Sequence, residues 1–486
     1  MLTASDDEDI VNMAFEYGVT DFIPKPINLH VLRNRVAHLI RTIQAERRIY
    51  QLAYHDPLTC LPNRTQFMEK FTQSLNQVKS SNSMLVLMFI DLEKFKLVND
   101  TQGHDVGDML LKAVSKRISH CVRTDDLVVR LGGDEFTIIL EDIKTSSIAT
   151  KVANKICKIL AEPFTFMKQA VRAPVSVGIS VYPSDGQDIN TLMKHADTAM
   201  YRAKSRGGNQ FQFYEYGMEA ELVRRIELER DLRLAIENDE LILHYQPQID
   251  LNTGNLMGAE ALVRWNHPVR GFMSPDEFIP LAEESGLIIP LGEWVLNKSC
   301  EQIKHWLNEG LGLDFIAVNL SGHQMKQAYL LERVKSCLNT HKLSARHIQL
   351  EMTESVMAVE SEACLNLLNG LKEMGVSVAI DDFGTGYSSL SYLTKFPVDT
   401  LKIDYSFITN LPNDKDSAAV TSGIIALAHK LGMQVIAEGV ETDIQREFLK
   451  QEQCDWIQGY LISRPLPPEE FETWLNTYEP VTSIKP

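Results

Sequence analysis

Val378-Ala379-Ile380 is an apolar run that stops at two adjacent carboxylates, Asp381 and Asp382, and passes into Phe383-Gly384-Thr385-Gly386. Neighbouring acids at the mouth of a buried strand repel each other unless a cation lies between them. Hard cations such as Mg²⁺ take oxygen ligands, usually a few carboxylates plus substrate phosphate. A solvated turn would account for one such pair. Repetition argues for chemistry instead. Through the last half of the chain, apolar runs end near Gln246, Glu260, Asn319, Glu351 with Glu354, Asp381 with Asp382, Lys402 with Asp404, Glu438 with Glu441, and Gln458. Helix or turn caps alone do not explain such a series, which is mostly oxygen ligands.

A second constellation lies earlier. Residues 127–131 and 136–140 are expected strands joined by Gly132-Gly133-Asp134-Glu135, a hairpin tip where glycines let the backbone approach a bulky anion and the acids can take a metal. Asp91 ends the apolar run 84–90, and Lys96 and Lys204 are candidate phosphate partners. That set suits two-metal transfer of a phosphoryl group.

The elements that must hold these residues follow from periodicity. From the end of a polar, Arg- and Glu-rich helix expected over 219–237 and mostly solvated, strand and helix patterns alternate to the end of the chain, which predicts parallel strands closed into a barrel with its chemistry at the strands' C-terminal face. Upstream, Leu32, Val36, Leu39, Ile43, Tyr50 and Ala53 fall at 3–4 spacing, interrupted by Glu46, and predict an amphipathic connector over 29–54. Periodicity leaves open whether that helix pairs with its copy in a second chain or packs on its own neighbour. Residues 1–28 read as strand, short helix, strand, then Lys25-Pro26, too little to bury a sheet alone.

Composition narrows the class. The length of 486 residues suggests about three domains. A net charge of −17 disfavours binding to DNA or RNA duplexes, so a nucleotide ligand must find local Lys, Arg or metal. No apolar run reaches membrane-spanning length, acids rather than a signal peptide follow Met1, and the seven cysteines form no Cys-x-x-Cys pair, which together predict a cytoplasmic protein with reduced thiols.

Gly132-Gly133-Asp134-Glu135-Phe136 resembles the signature of the GGDEF diguanylate cyclases, with further matches at Asp56-Pro57-Leu58-Thr59-Cys60-Leu61-Pro62-Asn63-Arg64, at 91–108, at Ser176-Val177-Gly178-Ile179-Ser180 and at 196–204. The resemblance implies an α+β domain over 56–216, with a polymerase-palm-like sheet, that joins two GTP into cyclic di-GMP across a homodimer. Asp91 and Asp134 would hold Mg²⁺ with GTP, Glu135 would sit at the reacting 3′-hydroxyl, and Gly132 and Gly133 would admit the phosphates. Asn99 and Asp108 would read guanine, and Lys96 and Lys204 would meet the triphosphate. Arg123 and Asp126 stand where the family binds inhibitory product. One departure is Gly208, where the family has an arginine; Glu93 replaces an aspartate.

Glu260-Ala261-Leu262 and the motifs after it resemble the EAL cyclic di-GMP phosphodiesterases, implying a TIM-like (β/α)8 barrel over 217–486 that yields 5′-pGpG. By that resemblance Glu260, Asn319, Glu351 and Asp381 would hold one Mg²⁺ or Mn²⁺, and Asp381 would bridge to a second held by Asp382 and Glu438. Lys402 would orient the water or stabilise developing charge. Glu354 would brace the loop 382–387, Arg264 would contact a phosphate, and Gln246, Glu441 and Gln458 would complete the pocket. Residues 1–28 resemble the last third of a response-regulator receiver, with Thr3 and Lys25 as its switch and phosphate-contacting residues, and 29–55 is the connector; the acceptor aspartate is absent. The resulting α/β chain is expected to turn over cyclic di-GMP. Its alternatives are a phosphodiesterase with a silent, GTP-binding GGDEF regulator, and a non-catalytic cyclic di-GMP receptor.

Overall fold

Met84–Leu92 (β1) is buried along nearly its whole length, as a central strand covered on both faces must be. In the computed structural model, which describes residues 2–3, 13, 16–19, 23–24, 27–81, 83–166, 169–238, 240–354, 362–384 and 393–479, β1 is the middle of a five-stranded sheet. Leu127–Gly132 (β2) and Glu135–Ile143 (β3) form the expected hairpin, and Val175–Tyr182 (β4) and Gln210–Phe213 (β5) complete the order β2-β3-β1-β4-β5. β1 runs antiparallel to both β3 and β4, so Asp91 lies directly across from Glu135 on one side and Ser176 on the other.

Helices flank this sheet. The stretch after Asp91 is two helices, Phe95–Gln102 (α2) and His104–Ser119 (α3), divided at Gly103, whose φ of 88° breaks the first before the second starts. Ile189–Ser205 (α5, after α4 at Ser146–Ala161) lies so close on β4 that a methyl group at Gly178 would strike the backbone of Ala196 and Met200. Only glycine permits that approach, and the approach sets where Lys204 stands. Ahead of the sheet, Leu29–Tyr54 (α1) is one helix capped by the Asn28 side chain, and none of its residues is buried. Leu2–Thr3 and Ile23–Pro24 pair in parallel. Lys25 and Pro26 lie outside the described residues, and the described ones do not bear on the receiver resemblance.

The second unit, 224–486, is a closed barrel of eight strands: Leu241–Asp250 (β6), Leu256–His267 (β7), Phe315–Asn319 (β8), Ile348–Thr353 (β9), Ser377–Phe383 (β10), Thr400–Ile403 (β11), Gln434–Ala437 (β12) and Trp456–Ile457 (β13). Neighbours from β7 to β13 are parallel. The all-parallel expectation needs correction at β6, which runs antiparallel to both β7 and β13. Asp250 explains it. Its carboxylate accepts from the backbone N–H groups of Asn252 and Thr253, folding a tight turn that ends at Gly254 with φ 72°. A turn that short can join only antiparallel strands. The helix Met218–Glu237 (α6) also departs from expectation, because Leu228, Leu232 and Ala235 are buried in the barrel's core cluster rather than solvated.

Candidate active site

The strands of the barrel bring its polar residues together around one buried side chain. At the centre is Lys402, fully buried on β11. Its ammonium lies 2.6 Å from Glu351 on β9, 2.7 Å from Glu438 after β12, 3.3 Å from Asp381 on β10 and 3.4 Å from Glu260 on β7. Four carboxylates carried at similar heights on parallel strands converge on one spot at the barrel mouth, and one cation holds them there. Burial opposes that charge, yet the four acids together hold the Lys402 pKa well above the ordinary lysine range. Buried charges persist only when paired and hydrogen-bonded.

Amides steer Glu260. Its two oxygens accept from Asn319 Nδ2 at 2.7 Å and Gln458 Nε2 at 2.6 Å, and Gln458 also donates to Gln246 Oε1 at 3.0 Å. Gln246 lies in the middle of β6, directly across from Glu260, because β6 runs the other way; it is not at a strand end as expected. Gln248 was not foreseen. It is fully buried and donates to Gln458 Oε1 at 2.9 Å, and its position two residues after Gln246, on the same strand face, was the available signal.

At β10 the ladder slips between Ile380 and Phe383, and Asp382 takes φ 55°, a left-handed conformation that costs about 1–3 kcal/mol for a residue with a side chain. The slip turns two successive carboxylates toward one face. Oxygens of Asp381, Asp382 and Glu438 lie within 4.8 Å of one another. Burial, then the Asp381 charge, raises the Asp382 pKa. Burial against the opposing pull of Lys402 pushes Glu438 up to about 8 and Glu351 well above the carboxylate range. Glu351 Oε1 is buried with no hydrogen-bond partner among the described residues. An orphaned carboxylate oxygen beside three clustered acids fits hard divalent cations.

Glu354, buried after β9, accepts the Gly384 N–H at 2.9 Å, and so grips the described start of the 382–387 loop; Thr385, Gly386 and Tyr387 lie outside the described residues. Arg264 shares the Glu260 face of β7, with burial lowering its pKa and Glu260 opposing. Glu441 is exposed on the loop after β12, where its backbone N–H bonds Gln445 rather than the cluster.

The sheet of the first unit carries the other constellation. Lys204 Nζ bonds Asp91 Oδ2 at 2.6 Å; burial lowers its pKa, but Asp91, Asp134 and Glu93 together raise it. Burial raises the pKa values of Asp134 and Glu135, and neighbouring acids add to it. Gly132 and Gly133 have φ of 155° and 52° at the hairpin tip. Arg130 holds that tip: its guanidinium donates to the Gly133 carbonyl at 2.7 Å and to both Asp56 oxygens at 2.9 and 3.0 Å. Asn99 packs where a methyl group at Gly107 would be, and Asp108 follows on α3; Lys96 is exposed on α2. Asp126 accepts from the Arg123 backbone N–H at 2.9 Å, so this pair closes a turn, with the Arg123 side chain exposed.

A five-stranded sheet with an acidic hairpin tip and a closed barrel with converging carboxylates thus make up the two units of the chain. Residues 229–465 match the EAL domain and residues 53–210 match the diguanylate cyclase GGDEF domain, and the chain belongs to the family in which the two stand in tandem. It is 44% identical over 88% of its length to the bifunctional diguanylate cyclase/cyclic di-GMP phosphodiesterase MucR of Pseudomonas aeruginosa, covering 62% of that protein. Identity is 38% to the cyclic di-GMP phosphodiesterase PdeR of Escherichia coli, over 90% of this chain and 65% of that protein. The chain thus spans less than two thirds of the length of these curated relatives. Among solved structures, the EAL enzyme Bd1971 with cAMP and cyclic di-GMP bound is 31% identical, with TM-score 0.50, covering 63% of this chain and 82% of that one. No helix among the described residues is long and apolar enough to cross a membrane.

Proposed function

We propose that the barrel hydrolyses cyclic di-GMP to 5′-pGpG and that the GGDEF domain condenses two GTP into cyclic di-GMP, each 3′-hydroxyl attacking the other's α-phosphorus with release of two pyrophosphates. The observation that carries the first claim is the convergence of Glu260, Glu351, Asp381 and Glu438 on Lys402, with Asp382 and Asn319 beside them. Glu260, Asn319, Glu351, Asp381, Asp382 and Glu438 would hold two Mg²⁺ or Mn²⁺ ions, which when bound acidify a water and neutralise the phosphodiester. The chain's own residues prepare the rest. Lys402 keeps mutually repelling carboxylates converged, Gln458 and Asn319 fix both oxygens of Glu260, and Glu354 holds the backbone after Asp382. Arg264 supplies positive charge to a substrate phosphate. Water adds at phosphorus, the bond to the 3′-oxygen breaks, and the linear dinucleotide leaves.

For synthesis, Asp91 and Asp134 would hold Mg²⁺ with GTP, and Glu135 faces the reacting hydroxyl. Because each GGDEF domain carries one GTP, two chains must meet, and the exposed apolar positions of α1 (Val36 and Ile43 among them) supply a surface for a homodimer. Seven free cysteines support a reducing, cytoplasmic setting. A second reading, a GTP-binding regulator without synthesis, is favoured by Gly208. Incubating the chain with GTP and Mg²⁺ and resolving the nucleotides separates them. Appearance of pGpG supports two working sites, while unchanged GTP together with GTP-stimulated hydrolysis supports the regulator.

A further inference from the structure

Two departures from the GGDEF pattern, Glu93 and Gly208, are far apart in sequence and adjacent in space. Glu93 follows β1 by one residue, and Gly208 lies in the turn between α5 and β5 with φ 67°. A methyl group at Gly208 would fall on the Glu93 carboxylate. That carboxylate is anchored: Oε1 accepts from Ser176 Oγ at 2.7 Å and from the Asn209 N–H at 2.9 Å, while the Glu93 N–H donates to the Pro174 carbonyl at 2.9 Å. Three hydrogen bonds from two segments, 174–176 and the turn at Asn209, therefore fix Glu93 where the side chain of residue 208 would have to pass. Lys204, one turn earlier on α5, bonds Asp91 two residues before Glu93, so this corner borders the end of the pocket assigned to phosphate.

We propose that Glu93 sets the affinity of the GGDEF pocket for a nucleoside triphosphate: its carboxylate excludes a side chain at position 208 and puts negative charge beside the polyphosphate. This inference rests on the reading of that pocket as a GTP site. An aspartate is one methylene shorter and leaves room; a glutamate reaches the turn and closes it. The two departures thus act as one exchange. A cation added at 208 meets an occupied space as long as Glu93 remains.

A double-mutant cycle on the full chain tests it, because strain from a non-glycine residue at φ 67° is common to both backgrounds and cancels. The four proteins are the parent, Glu93→Asp, Gly208→Arg and the double variant; each is titrated with GTP and Mg²⁺, and its Tm is read without nucleotide. Gly208→Arg alone should lower Tm by a few degrees and leave GTP affinity unimproved, whereas added to the Glu93→Asp variant it should tighten GTP on the order of tenfold and cost less Tm. Glu93→Gln, which keeps shape and acceptor but not charge, should tighten GTP several-fold on its own. Equal effects of Gly208→Arg in both backgrounds, or an unchanged GTP affinity in Glu93→Gln, would overturn the proposal. If none of the proteins binds GTP, the GTP-site reading and the affinity role fall together, and the Tm cycle still decides whether Glu93 and position 208 are coupled.

Discussion

Lys402 has the most exposed consequences to test because it is a single cation among four acids. Replacing it by methionine strands buried carboxylates, and breaking a buried pair in this way costs about 3–5 kcal/mol. Urea unfolding without metal should register that loss, and saturating Mn²⁺ should recover much of it by restoring positive charge. An unchanged stability would contradict the counter-ion role. The raised carboxylates make a second prediction. A ligand must be deprotonated, and Glu438 holds its proton up to about pH 8 in the metal-free protein. Mn²⁺ affinity should therefore weaken as pH falls below 8, at least tenfold per unit near pH 6.5. Calorimetry across about pH 6–8 would read it, and a flat profile would refute it.

At the scale of elements, the barrel's strand ends do more than display side chains. Glu354 acts through the backbone: it receives the Gly384 N–H, directly after the left-handed Asp382 and Phe383. Glu354→Ala leaves that N–H unpaired, a change of about 1–3 kcal/mol, and should release Asp382 from its orientation. The expected result is a fall in kcat of roughly tenfold or more, with cyclic di-GMP affinity within a few-fold of the parent; a pure KM effect would instead make Glu354 a substrate contact. The carboxylate positions on β7, β9 and β10 and directly after β12 were legible in the sequence because each follows an apolar run. The direction of β6 was legible too, because the Asp250 to Asn255 turn outweighs the strand-and-helix alternation that predicts a parallel strand. Gln248 stayed hidden because a buried glutamine in a strand resembles any polar residue until its partners, 210 residues away, are in place. The coupling of Glu93 with Gly208 is of the same kind: no local pattern connects residues on separate elements.

For the whole molecule, the family match rests on both domains, and the central claim rests on the barrel. The apolar positions of α1 depend on what they meet, which is why pattern alone left the connector open. The measurement that decides most is hydrolysis itself. The chain is incubated with cyclic di-GMP and Mn²⁺, with chelator, and as Glu438→Gln, and the nucleotides are resolved over time. The account predicts pGpG from the parent chain, none with chelator, and a loss on the order of a thousandfold in Glu438→Gln while cyclic di-GMP still binds. Cyclic di-GMP that binds the parent chain and remains intact with either Mg²⁺ or Mn²⁺ would contradict it, and would make the barrel a receptor.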